Sequence, residues 1–158
     1  MLIEKELEQA LIGELSAQLG NVQFVGSRSV AEEGQVLTER EDIDSVIAIG
    51  TGYRTHEAFS LPMIDIKVTI SVCTRVEQDP TGQKHEQIIE KLSDILSLWH
   101  FNGFLMEQKL SGSQFVAGEL RMTGGTGRTQ DKVNSIWSES LTFEIRGTQK
   151  FNNSTLAD

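Results

Sequence analysis

The sequence predicts an α+β fold, a mainly antiparallel sheet with two helices packed on one face. Three observations carry that reading. From Ile64 to Val72 the even positions are Ile64, Ile66, Val68, Ile70 and Val72, whereas Asp65, Lys67, Thr69, Ser71 and Cys73 occupy the odd ones. Side chains alternate faces along a strand, so this is a strand with one apolar and one mostly polar side. Two other stretches repeat apolar residues at helical spacing, one near the start and one after Asp79-Pro80-Thr81-Gly82. No alternation of strand and helix runs through the chain, which points away from a parallel sheet.

Residues 2–19 read as the first helix. Ile3, Leu7, Leu11 and Leu15 recur every fourth position, and Ile12 and Leu19 widen the stripe. Glu4, Glu6 and Glu8 sit where the helix dipole favours negative charge, and Gly20-Asn21 ends the helix. Val22 to Val25 is a short strand. Gly26 to Asp44 is acidic and poor in apolar anchors, and reads as a long loop or extended arm. Ser45 to Ile49 is a second strand, closed by Gly50-Thr51-Gly52, and Tyr53 to Leu61 is irregular. The long strand spans Met63 to Val76. Asp79 to Gly82 is a turn, and the second helix follows and ends near Asn102-Gly103. Its stripe is Ile88, Ile89, Leu92, Ile95, Leu96 and Trp99. Burying six such side chains contributes roughly 10 to 15 kcal/mol before conformational entropy is subtracted.

Three strands are expected in the last third. Phe104 to Leu110 and Gln114 to Met122 flank the connection Ser111-Gly112-Ser113. Thr123 to Asp131 reads as a glycine-rich loop. Val133 to Gly147 is the final strand, with Trp137, Leu141, Phe143 and Ile145 on one face and Ser138, Ser140, Thr142, Glu144 and Arg146 on the other. Residues 1–147 form a single domain, and 148–158 a loose polar tail.

Composition narrows the function classes. A chain of 158 residues buries roughly 70% of its unfolded surface and needs no disulfide. Cys73 is the only cysteine, which excludes an intrachain disulfide and a multi-cysteine metal site. The net charge of -9 argues against a protein that grips nucleic acid by its phosphates. The acidic start MLIEKELEQ does not read as a secretory signal, and no stretch approaches the ~20 apolar residues of a membrane span. The Asn-x-Ser/Thr triplets at Asn152 and Asn153 are therefore expected to be incidental.

Catalytic signals are sparse. His85 and Glu86 open HEQII, which lacks the second histidine of a zinc-protease helix, so His85 reads as a solvated helix residue. His56 has only Glu57 nearby, and His100 closes a helix, where positive charge suits the dipole. The GGTGR run at Gly124 to Arg128 precedes a strand, whereas a phosphate cradle opens a helix; a connection between strands is the better reading. Arg128 and Lys132 remain available there for an acidic partner. Cys73 has no sequence neighbour that would activate it and reads as a small sheet residue. The carboxylates between Glu32 and Asp44 read as a solvated face. No catalytic residue, metal ligand or cofactor motif is expected.

In its order of segments the chain resembles the bacteriophage tail terminator, or tail completion, family. The resemblance rests on the leading amphipathic helix, the strand that runs into TRVEQDPTGQKHEQIIEKLSDIL, and the closing SIWSESLTFEIRG. It spans residues 1–147 by topology, and about Ile64 to Leu98 and Ser135 to Gly147 by wording. It implies a non-enzymatic virion protein, assembled in the host cytoplasm, forming a ring, commonly of six subunits, at the head-proximal end of the tail. Such a ring stops growth of the tail tube, meets the head connector or neck protein, and lets DNA pass through its lumen without specific binding or membrane contact.

The residue-level reading agrees with that picture. Excess acid keeps a lumen from holding passing phosphates. The interface candidates are Glu32, Glu33, Glu39, Glu41 and Asp42 in the acidic arm, Arg75 before the turn, and Gly124, Gly125, Gly127, Arg128 and Lys132 in the glycine-rich segment. Two other readings stand beside this one. The first is a head–tail connector, neck or tail-tube-related subunit. The second is a small α+β enzyme or ligand-binding domain using scattered carboxylates and His56.

Overall fold

The computed structural model describes residues 3–20, 23–26, 45–55, 63–133 and 135–150. Its elements in chain order are α1 (Ile3–Leu19), β1 (Gln23–Gly26), β2 (Ser45–Thr55), β3 (Met63–Arg75), a single 3₁₀ turn (Val76–Gln78), α2 (Gln83–Phe101), α3 (Gly103–Leu110), β4 (Phe115–Asp131) and β5 (Ile136–Gln149). Among the described residues the strands form one five-stranded sheet in the order β1-β2-β3-β5-β4. β1 and β2 are parallel, and every other pair is antiparallel. The α+β class read from the sequence is the observed one.

The core lies between the helices and one sheet face. Ile64, Ile66, Val68, Ile70 and Val72 of β3 are buried there, with Ile47 and Ile49 of β2 and Phe143 and Ile145 of β5. Register explains the shared face: Val68 lies opposite Phe143, Ile70 opposite Leu141, and Ile49 opposite Ile70. Leu7, Leu11 and Leu15 cover it from α1, and Ile88, Leu92, Leu96 and Trp99 from α2. Ile89 is only partly buried, at the margin of its stripe.

Several boundaries differ from expectation. Phe104 to Leu110 is helical, not a strand. Asn102 caps it by accepting the Leu105 amide at 3.1 Å, and Met106 and Leu110, one turn apart, bury on the core. Ser111-Gly112-Ser113 consequently joins a helix to a strand rather than two strands. β2 does not close at Gly50-Thr51-Gly52 but continues to Thr55, because β3 supplies partners as far as Ile64. Residues 53–55 are thus strand, not irregular. β3 stops at Arg75, one residue before the expected end. Thr123 to Asp131 is strand as well, paired with β5 from Gly124–Thr142 to Asp131–Ile136. Over the whole of β4 the excess residues enter as three register shifts, between Ala117 and Glu119, Met122 and Gly124, and Thr126 and Thr129.

The last strand is displaced toward the C-terminus and includes Thr148 and Gln149. Lys150 is tied as well, its amide donating to the Gln114 carbonyl at 2.8 Å and its Nζ to the Gly112 carbonyl at 2.9 Å. The tail expected from residue 148 therefore begins no earlier than 151, outside the described residues. The second face of the sheet is not uniformly polar surface either. Val46, Ala48, Asp65, Ser71 and Cys73, all on that face, are buried. The acidic arm and His56 lie outside the described residues.

Candidate functional site

The densest polar chemistry gathers where α2 begins. The Asp79 carboxylate accepts the Lys84 amide at 3.0 Å and the His85 amide at 2.9 Å, satisfying two donors the helix start leaves open. Asp79 is buried, and its carbonyl accepts the Trp137 indole N–H at 2.7 Å. The turn itself needs Gly82, whose φ of +76° puts it in the left-handed region.

His85 is fully buried, not solvated as the sequence suggested. It points back toward the sheet one helical turn before Ile88 and Ile89. Its Nε2 lies 3.3 Å from Glu139 Oε1, and its Nδ1 3.2 Å from Thr74 Oγ1. An ionised carboxylate only accepts, so Nε2 carries the proton and Nδ1 accepts from Thr74. Ser45 in turn donates to Thr74 Oγ1 at 3.4 Å. Burial pushes the His85 imidazole below its ordinary pKa, against the opposing pull of the Glu139 carboxylate.

A hydroxyl, an imidazole and a carboxylate in line invite comparison with a nucleophilic triad. The geometry does not support it. Thr74 is fully buried and does not line the cleft of about 350 Å³ that opens beside His85, Glu86, Ile89, Glu90, Arg128 and Glu139. A substrate in that cleft would meet the carboxylate end of the chain, away from the hydroxyl. The arrangement pins α2 to β2, β3 and β5 at one point. Among the described residues no group of three or more His, Cys, Asp or Glu side chains could hold a metal ion, and no helix is long and apolar enough to cross a membrane.

Arg128, a candidate for meeting partners, is engaged within the chain. Its guanidinium stacks over the Trp137 ring, 4.8 Å from the centroid, and donates to the Gly82 carbonyl at 3.2 Å. It fastens the far half of β4 to the turn before α2. Gly124, Gly125 and Gly127 lie on this exposed edge strand, not in a loop. Gly125 has a φ of +154°, and a Cβ there would collide with the Ser140 carbonyl oxygen, so glycine is required. Thr126 and Ser140 hydroxyls pair at 3.0 Å, and Arg121 pairs with Glu144 at 3.0 Å. Lys132 is exposed in the β4–β5 turn, and Arg75 is half-buried at the end of β3. The structure thus brings Gly124, Gly125, Gly127, Arg128 and Lys132 onto one edge. Glu32, Glu33, Glu39, Glu41 and Asp42 fall outside the described residues.

A second feature escaped the sequence reading. Leu98, Phe101, Phe104 and Met122 are exposed large apolar residues at the corner between α2, α3 and β4, Phe101 at 86% and Phe104 at 69%. The corner is held by His100, whose Nδ1 lies 2.7 Å from the Leu120 carbonyl of β4. A sequence signal existed for the first aromatic: Phe101 follows Trp99 by two positions, which rotates it off the buried stripe. Phe104 was hidden by the mistaken strand.

No known protein family matches the chain, and no curated protein does. Its fold does have a relative among solved structures. A chain of the virion of a native gene transfer agent particle superimposes with a TM-score of 0.57 at 14% sequence identity. The likeness covers 92% of this chain and 93% of that one. At that identity it is a likeness of fold.

Proposed function

We propose that the chain is a structural subunit of a phage-like virion, and more narrowly a tail terminator. The observation that carries this reading is the fold shared with a gene transfer agent virion chain over nearly the whole length of both. The likeness spans 92% of this chain and 93% of that one, which fits two subunits of the same general build. The terminator role within the virion comes from the resemblance of the TRVEQDPTGQKHEQIIEKLSDIL and SIWSESLTFEIRG segments to that family. The polar chain through His85 is consistent with a scaffold, since it is spent on fastening α2 to the sheet.

On this reading the subunits form a ring, commonly of six, at the head-proximal end of the tail. The ring stops addition of tube subunits and offers its other side to the head connector or neck protein. No bond is made or broken. The test is tail length. Particles assembled without the chain should carry tubes of uncontrolled, excessive length in negative-stain images, restored to uniform length when the chain is supplied. Tubes of normal length in its absence would overturn the terminator assignment. Headless tails of normal length would favour a connector role.

A further inference from the structure

Both edges of the sheet are open among the described residues, and they are complementary. β4 pairs only with β5, and β1 only with β2. Following the pairings across the sheet, β4 runs antiparallel to β1. The same pairings align their heights. Gln23 of β1 shares a row with Val46, Cys73, Ser138 and Thr129, and Gly26 shares one with Ile49, Ile70, Leu141 and Gly125. The glycine-rich part of β4 is therefore level with β1 on the opposite edge.

The edges also differ in charge. Residues 121–132 carry Arg121, Arg128 and Lys132 against Asp131, and with Arg121 paired to Glu144 of β5 the edge keeps a net of about +1 within an acidic chain. α1, which packs over β1 and β2, carries Glu4, Glu6, Glu8 and Glu14 against Lys5; Glu8 is buried beside Lys5 and Glu6 holds Ser113 and Gln114, which leaves Glu4 and Glu14 as the negative charge on its surface. An edge strand with free N–H and C=O groups pairs with another chain unless it is shielded, and the MTGGT run of β4 carries no charged or proline guard. On the helical side the exposed corner of Phe101, Phe104 and Met122 lies next to this edge.

We propose that the β4 edge of one copy joins the β1 edge of the next, head to tail, extending the sheet across the joint. The apolar corner then packs against the next copy's α1. The occupant is a second copy because the strand sense, the row heights and the opposite charges all match between the two edges of this one chain. Such a contact uses two different surfaces and closes into a ring when the rotation permits. The inference rests on the ring reading above and supplies the surface that reading lacks.

The test uses the full chain. Sedimentation and native mass spectrometry of the wild type should show a closed oligomer that loosens as salt is raised. F101E/F104E should keep the wild-type circular dichroism spectrum, since both side chains are exposed, and melt as the dissociated wild type does at low concentration, while raising the apparent dissociation constant by about 30-fold or more, the loss of about 2 kcal/mol expected of an interface hot spot. Mild oxidation of a mixture of T126C and V25C chains should yield a disulfide-linked pair that neither variant forms alone; the buried Cys73 does not compete. Undiminished assembly of F101E/F104E, T126C linking to itself, or a wild-type ring in which the mixed pair never forms would each overturn the joint while leaving the ring intact. A wild-type chain that stays monomeric, alone and on tail tubes, would overturn both.

Discussion

Replacing Asp79 by alanine isolates the one side chain that organises the start of α2. The carboxylate accepts two backbone amides, Lys84 at 3.0 Å and His85 at 2.9 Å, and it is buried. Loss of a helix-capping oxygen costs about 1 kcal/mol, and up to about 2 in the stronger cases. Here the acceptor is charged, and the amide of buried His85 has no water to turn to, which adds about 1 kcal/mol of unsatisfied donor. The indole bond from Trp137 goes to the Asp79 carbonyl and survives the change. The sum is about 2 to 3 kcal/mol, or a fall in Tm of roughly 4 to 12 °C for a chain of this size. The assay is thermal unfolding by circular dichroism at fixed protein concentration, because assembly would make Tm concentration-dependent. Asp79→Asn keeps one acceptor and should lose about half as much. The reasoning fails if Asp79→Ala melts within about 1 °C of wild type, or if the alanine and asparagine variants are indistinguishable.

Two further predictions follow. Burial lowers the His85 pKa, so between the lowered native value and the ordinary value near 6.5 the unfolded chain binds the proton and the native chain does not; stability falls as pH drops below about 6.5. Urea midpoints of His85→Gln should lose that part of the slope, and an unchanged slope would remove His85 as its source. Gly125→Ala should cost about 1 to 3 kcal/mol, because φ is +154° and the Ser140 carbonyl occupies the space, whereas Gly127→Ala, with nothing near, should stay within about 0.5 kcal/mol. Equal melting of the two variants would contradict the strand geometry at Gly125.

The sequence was most legible where one periodicity ran long enough to dominate. β3 was located within one residue because its alternation is unbroken, and α2 because six apolar residues hold one face. The errors fall where the deciding partner is distant in sequence. Thr123 to Asp131 reads as a loop when judged by its glycines, yet β5 pairs with six of its nine residues, and two register shifts absorb Thr123, Gly127 and Arg128. GFLMEQKL contains enough apolar residues to pass for a strand; the Asn102 cap and the one-turn spacing of Met106 and Leu110 make it a helix. His85 reads as solvated because it is polar and stands at the helix start, although its spacing puts it on the same face as Ile88, Leu92 and Leu96; only the tertiary arrangement brings Thr74 and Glu139 to its two nitrogens. The same remoteness hid the β4 edge as a surface. Sequence alone named Gly124 to Arg128 and Lys132, but not that they form a strand level with β1. Arg128, expected at a partner surface, is exposed and also holds Trp137 and Gly82, contacts its sequence neighbours do not announce.

The sheet order has a kinetic side. β2 and β3 meet as near neighbours in sequence, and so do β4 and β5, but the two pairs join only along β3 and β5, where Met63 finds Thr148 and Arg75 finds Ile136. That seam closes a loop containing both α2 and α3. Non-local closure of this kind slows folding. Until β5 leaves the ribosome, the apolar flank of β3 has no neighbour on that side, and a nascent chain stalled before Ile136 presents an unprotected template for aggregation. Among the described strands, the one made last is the one that seals the sheet.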